Sequence, residues 1–279
     1  MSPALQFDAA RLAATARALR VRIIRMIANA GSGHPGGSLS AIDVITYLYF
    51  HRMRTRPAEP GWKDRDRFVL SKGHCAPALY AALACAGYFP DATLDTLREI
   101  GSPLQGHPDM RKTPGVDMTT GSLGQGFACA AGIALGGKLQ GRDFRTYAML
   151  GDGECQEGVV WEAAMAAAHY RLDNLIAIVD NNGCQTDGYT RDILAIEPIC
   201  EKWRAFGWQV SRINGHDFGA IHKAVERAQV RDGRPHAIIA DTVKGKGLRA
   251  MENNPKWHGL PPTAEEAELF AAELAGELR

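Results

Sequence analysis

The stretch Gly151–Asn182, GDGECQEGVVWEAAMAAAHYRLDNLIAIVDNN, leaves the chain few ways to fold. An apolar segment, Thr146 to Leu150, leads into Gly151-Asp152-Gly153. A helical stretch follows, then a second apolar segment, Leu175 to Val179, ending in Asp180-Asn181-Asn182. This order reads as strand–helix–strand, with polar oxygens just past each strand. Strands joined by such a crossover run parallel and open on one sheet edge, where α/β proteins bind ligands. The expected fold class is α/β, a mostly parallel sheet flanked by helices.

Asp152 offers a carboxylate and Asn182 an amide oxygen. Two hard oxygens suit Mg²⁺, which keeps positions open for phosphate oxygens and water. Gly151 and Gly153 are expected to allow positive φ and close backbone approach, so that a bare N–H faces a phosphate. An ordinary βαβ turn, with glycine for tightness and aspartate as a helix cap, accounts for a lone GDG. GDG followed at βαβ distance by NN is more specific and points to a metal-held diphosphate.

With these residues in hand, GDG…NN resembles the thiamine diphosphate motif. SGHPGG at 32–37, SKGH at 71–74, GHPD at 106–109, TTGSLGQG at 119–126 and Trp257-His258-Gly259 narrow the resemblance to the transketolase N-terminal, diphosphate-binding domain. It spans nearly the whole chain. The resemblance implies thiamine diphosphate and Mg²⁺ as cofactors, and transfer of a two-carbon ketol unit from a ketose phosphate to an aldose phosphate. It implies catalytic, sugar-hydroxyl-contacting roles for His34, His107 and His258, with His34 also helping to move protons. His74 is implied as a diphosphate or sugar contact, and His258 also as a cofactor contact. Gly121 and Leu123 should lie beside the cofactor, Leu123 under the thiazolium ring. Gly151, Asp152, Gly153 and Asn182 make the diphosphate–metal site, with the Cys184 carbonyl as third metal ligand. Glu157 and Glu162 are implied near the cofactor at a dimer interface, although two acids on a helix are ordinarily surface charge.

Composition restricts the alternatives. The chain has 279 residues, 46% hydrophobic and 23% charged, enough for one large domain with a sizeable core, and a single domain over residues 1–279 is expected. A net charge of +1 gives no electrostatic case for nucleic acid or membrane capture. No apolar run of membrane-spanning length or signal-peptide pattern is seen, so a cytoplasmic location is expected. The six cysteines form no CxxC pair and read as reduced thiols.

Helices are expected over 8–30, from Ser40 to about Met53, over 76–87, 91–100, Gln125 to Leu139, 217–230 and 263–278. Asp8 and Gly31 should cap the first. Further strands are expected at Arg67 to Leu70, Trp208 to Ile213 and His236 to Val243, the last two buried. SGHPGG reads as an irregular loop, as does the Gly/Pro/Ser/Thr-rich stretch 101–124, whose length points to function. Asp187 and Thr190 are placed in a loop able to close over the site, and His216-Asp217 reads as a helix cap.

The resemblance covers a diphosphate half-site only. In the family, the carboxylate that protonates the aminopyrimidine ring, its aromatic stacking partner and the phosphate-binding arginines belong to a second domain. The chain is therefore expected to be the N-terminal subunit of a split transketolase, joined to a C-terminal partner as α₂β₂ and self-associating, with sugar phosphates as substrates. Two other readings stand beside it: a subunit of a deoxyxylulose-phosphate synthase-like or 2-oxo-acid dehydrogenase-like enzyme, and a non-catalytic thiamine-binding paralogue.

Overall fold

In a computed structural model describing residues 6–277, the chain begins with α1 (Ala9–Ala30), capped by the Asp8 carboxylate on Arg11 N and ended by left-handed Gly31. The next helix, α2 (Pro35–Tyr47), starts earlier than expected. Proline at the first helical position lets Gly36 and Gly37 enter the first turn, so only Ser32, Gly33 and His34 of SGHPGG remain loop. A π-helical turn, Leu48–Arg52, follows it.

Then come β1 (Arg67–Leu70), α3 (Ala76–Cys85), α4 (Gln125–Leu139), β2 (Thr146–Gly151), α5 (Gly158–His169) and β3 (Leu175–Asn181). The expected helix at 91–100 is a short 3₁₀ segment, Asp91–Thr96. Asp187 belongs to the tight turn of a hairpin, β4 (Cys184–Gln185) and β5 (Gly188–Tyr189). Thr190 opens the short α6 (Thr190–Ile193) and is buried. The chain finishes with α7 (Ile199–Ala205), β6 (Gln209–Asn214), α8 (Phe218–Arg227), β7 (His236–Asp241) and α9 (Ala264–Ala275). The expected residue 278 of the last helix lies outside the described residues.

The main sheet is wholly parallel, in the order β1-β2-β3-β7-β6. Alternate side chains feed two cores, as a sheet covered on both faces requires. Phe68, Leu70, Tyr147, Met149, Ile176 and Ile178 pack toward α1, α2, α3, α8 and α9. Val69, Ala148, Leu150, Ala177, Val179 and Ile239 pack toward α4, α5 and α7. Strand β6 is an edge strand and only partly buried, contrary to expectation, because it has β7 on one side alone.

The register sets up the site. Leu70 pairs with Met149, Gly151 with Asp180 and Asn181 with Asp241. Ser71-Lys72, Asp152, Asn182 and Thr242-Val243-Lys244 therefore all leave the sheet on its carboxyl edge. No helix among the described residues is long and apolar enough to cross a membrane.

Candidate active site

At that edge lies a cavity of about 350 Å³. Every residue expected at the site lines it except His107 and Glu162. A larger surface groove of about 520 Å³ lies between the Arg65–Arg67 and Arg111–Asp117 segments. Its Arg65 is already paired with buried Asp117, and it gathers no comparable set of histidines and strand-end oxygens.

Asp152 is buried and held by three donors: Gly153 N to Oδ1 at 2.9 Å, and Gly183 N and Thr190 Oγ1 to Oδ2 at 2.8 and 3.0 Å. Burial, and then nearby Asp180, push its pKa up. The Asn182 amide is oriented by its neighbours. Its Nδ2 donates to Ser40 Oγ and Asp180 Oδ2, leaving Oδ1 to accept from Cys184 N at 3.0 Å. The Gly183 N bond to Asp152 ties the two strand ends together. The Cys184 carbonyl already accepts from Lys244 Nζ at 3.4 Å. Among the described residues no three His, Cys, Asp or Glu side chains cluster as a metal centre. A cation here takes one carboxylate, neutral oxygens and outside ligands. That is the donor set of a Mg²⁺ ion shared with phosphates, so these residues fit one.

Neither Gly151 nor Gly153 has positive φ, correcting the expectation. Gly153 matters sterically, since a Cβ there would stand 3.1 Å from Gln185 Cβ. Left-handed freedom is used instead at Gly121, with φ 155, where a Cβ would meet the His107 ring at 3.2 Å.

Three imidazoles converge on the cavity. Ring centroids of His34 and His74 are 5.2 Å apart, His34 and His258 5.5 Å, and His74 and His258 5.1 Å. Burial, with Arg98, His107 and Lys244 adding to it, lowers His34 to about 4. Burial and Lys244 lower His258 to about 3, and burial and Lys72 hold His74 well below its usual range. All three rings are therefore neutral at pH 7. Burial, and then Lys72, lower the pKa of Lys244, whose Nζ lies 2.7 Å from His258 Nδ1 and, as an ammonium, donates to it. That fixes the proton on Nε2, 3.3 Å from Thr186 Oγ1. His34 Nδ1 is buried without a protein hydrogen-bond partner. His107 is exposed and stands behind Gly121, outside the cavity wall.

Sequence reasoning missed the buried charges. Lys72 pairs with Asp180 and donates to Gly37 O at 3.2 Å. Burial opposes its charge, but Asp180 outweighs burial and raises its pKa. Glu154 joins three segments, accepting from Ser71 Oγ at 2.5 Å, Gly124 N at 2.7 Å and Gly151 N at 3.0 Å. Three buried carboxylates, Asp152, Glu154 and Asp180, face two buried ammoniums, Lys72 and Lys244. A diphosphate needs a divalent cation to balance its charge beside them. The available signal for Lys72 and Lys244 was position, since both follow strand carboxyl ends. Glu157 occupies the residue before α5, without a side-chain capping bond, and lines the cavity, whereas Glu162 is exposed on that helix. His216 is more than a cap neighbour: its Nδ1 meets Asp43 Oδ2 at 2.6 Å and its Nε2 accepts from Val243 N at 2.8 Å.

A parallel α/β sheet whose carboxyl edge carries this oxygen pair and histidine cluster defines a diphosphate-binding domain. The chain belongs to the transketolase family: residues 10–276 match the family described as transketolase, thiamine diphosphate binding domain. A 6-deoxy-6-sulfo-D-fructose transketolase subunit from Clostridium sp. (strain MSTE9) is 49% identical, over 94% of this chain and 95% of its own length. An apulose-4-phosphate transketolase subunit from Phocaeicola vulgatus is 42% identical, over 92% of this chain and 91% of that one. The solved transketolase of Campylobacter jejuni superposes with a TM-score of 0.91 at 36% identity, covering 97% of this chain but 43% of the longer one. The chain thus spans nearly the full length of the subunit relatives and less than half of the long transketolase.

Proposed function

We propose that this chain is the diphosphate-binding subunit of a two-subunit transketolase. A C-terminal subunit supplies the pyrimidine half-site in an α₂β₂ complex, working in the cytoplasm. The reaction is transfer of a two-carbon ketol unit from a ketose phosphate, or a similarly anionic ketose, to an aldose acceptor. The observation that carries this reading is the cavity itself. It sets hard oxygens from two strand ends against three neutral imidazoles, and binding of a diphosphate alone has no need of those rings. The named relatives are themselves transketolase subunits, and both named sugars carry a strong anion.

Asp152, Asn182 and the Cys184 carbonyl would hold Mg²⁺, with Gly151 and Gly153 along the diphosphate and Leu123 under the thiazolium ring. Thiamine diphosphate supplies the electron sink for carbon–carbon cleavage when bound. The chain's own part is to orient and to handle protons. His258, with its proton fixed on Nε2, donates a hydrogen bond to a sugar oxygen. His34 offers its buried Nδ1 and, being neutral, both donates and accepts as charge develops on the donor hydroxyls. His74 closes the wall between them, and His107 backs that wall through Gly121. Self-association is supported by the small-residue groove between α4 and α5, lined by Ala128, Ala131, Gly132, Leu135 and Ala166, beside exposed Met165 and Tyr170.

Asp152→Ala in the assembled complex tests the assignment. It should abolish Mg²⁺-dependent binding of thiamine diphosphate, read by tryptophan quenching, without loss of assembly. Retention of wild-type cofactor affinity by that variant would overturn the reading.

A further inference from the structure

The turn between β6 and α8 carries His216-Asp217, and the two side chains part company. Asp217 caps α8, its carboxylate accepting from Gly219 N and Ala220 N. His216 has no share in the cap and turns inward. Its Nε2 accepts from Val243 N at 2.8 Å, so its proton sits on Nδ1, which donates to Asp43 Oδ2 at 2.6 Å. Asp43, on α2, is buried, and Arg20 of α1 donates to both of its oxygens, at 3.0 and 2.6 Å. Burial works against the Asp43 charge, but His216 and Arg20 outweigh it and lower its pKa. None of the three side chains lines the cavity.

What they hold is the strand end that enters the site. Pairing of β6 with β7 ends at Asn214 and Asp241, and one further bond, Gly215 N to Asp241 O at 2.8 Å, closes the ladder. Past it β6 has turned away and Val243 N has no strand to meet. A backbone amide left unpaired off the surface is costly, and His216 supplies the acceptor. The approach is close: a Cβ on Gly215 would stand 2.5 Å from Thr242 Cγ2. The residue after Val243 is Lys244, whose Nζ donates to His258 Nδ1 and to the Cys184 carbonyl. Arg20 meets the same segment again further on, where a Cβ on Gly247 would stand 3.4 Å from its Cδ. A water would satisfy Val243 N without fixing it. A histidine backed by a carboxylate has one ring nitrogen free and one orientation.

We propose that His216 is a positioning residue: held by the buried Arg20–Asp43 pair, it fixes Val243 and so sets where Lys244 meets His258. It acts through the backbone, from outside the cavity. The pair keeps the ring in the tautomer that accepts, and loss of the Val243 bond lets the strand end shift. A shift of about 1 Å in a group so placed can cost about a hundredfold in rate. The effect on turnover rests on the ketol-transfer reading above, whereas the effect on the His258 ring does not.

His216→Asn and His216→Gln separate the two bonds. An asparagine amide stands where Nδ1 stood and keeps Asp43 paired, but does not reach Val243. A glutamine places its oxygen near the Nε2 position and makes both bonds. The full chain, labelled with ¹⁵N in its histidine rings, reports the His258 tautomer by NMR, with His258→Asn assigning the signal. The assembled two-subunit complex reports ketol transfer well below Tm. In His216→Asn, His258 should no longer hold its proton on Nε2 alone, and kcat should fall about tenfold or more. His216→Gln should restore the tautomer and bring kcat within about threefold of wild type. If His216→Asn does not fold, Gly215→Ala takes its place: on the edge strand, its Cβ drives the turn carrying His216 away from Thr242, and the same two losses are expected. A wild-type His258 signal or a wild-type kcat in that variant would overturn the proposal, as would equal losses in the asparagine and glutamine variants. A wild-type complex that transfers no ketol would overturn the ketol-transfer reading instead, and the His258 signals would still decide the positioning role.

Discussion

At the scale of single residues, the site keeps its imidazoles uncharged, with buried lysines beside two of them. His258 has Lys244 at 2.7 Å, and Lys72 is the nearby charge that acts most on His74. This has a signed consequence for pH. A histidine whose folded pKa lies below the ordinary 6.5 binds protons more readily when unfolded. Its stabilising contribution is complete above about pH 7 and is lost as pH falls toward about 4 for His34 and about 3 for His258. Asp152 and Glu154, raised by burial, have the opposite sign and weaken the fold as pH rises through the carboxylate range. Between pH 7 and 5, where unfolded histidine takes up its proton, the histidines pull Tm down, and His258→Asn should weaken that pull. A His258→Asn slope equal to wild type would contradict the account. Residue identities were legible where a motif fixed them: Asp152, Asn182, His34, His74 and His258 all reach the cavity. Lys72 and Lys244 were not, because a lysine in sequence carries a presumption of exposure. Only the fold shows that Asp180 lies against Lys72 and His258 against Lys244.

At the scale of elements, the strands were legible because their apolar runs are short, uninterrupted and followed by polar strand ends. The crossover between β2 and β3 placed the oxygens correctly. Boundaries set by local chemistry were less so. Pro35 drew two glycines into α2. The helical periodicity over 91–100 gave way after Thr96, where Leu97 leaves the helix and Arg98 turns left-handed. The loop carrying His258 returns to the site by packing on α2: Gly245 N donates to Gly36 O, and a Cβ on Gly36 would stand 2.8 Å from Trp257 O. Gly36→Ala should therefore push the 244–259 segment outward. The expected cost is about 1–3 kcal/mol of stability, as for other overpacking changes, together with weaker cofactor binding in the complex. Chemical denaturation and a cofactor titration measure the two. An unaltered affinity would show that the segment's docking on α2 does not set the site.

At the scale of the molecule, the sheet's carboxyl edge presents one face of an active site. The cavity lies at that edge, His107 stands behind its wall at Gly121, and Ile100 is fully exposed. The relatives of matching length are subunits, and the long solved transketolase extends well beyond the matched region. The fold class could be read from this sequence, and so could most of the residues that the sheet edge brings together in the cavity. The left-handed turn at Arg98 could not, because no motif marks it and it depends on a loop conformation. That a second chain supplies the other half-site is inferred from family resemblance and from relatives that are named as subunits. Isothermal titration of thiamine diphosphate with Mg²⁺ into this chain, alone and mixed with its C-terminal partner, tests the whole account most directly. Tight binding in the mixture only, with ketol transfer appearing at the same stoichiometry, is the predicted result; tight binding and turnover by this chain alone would contradict it.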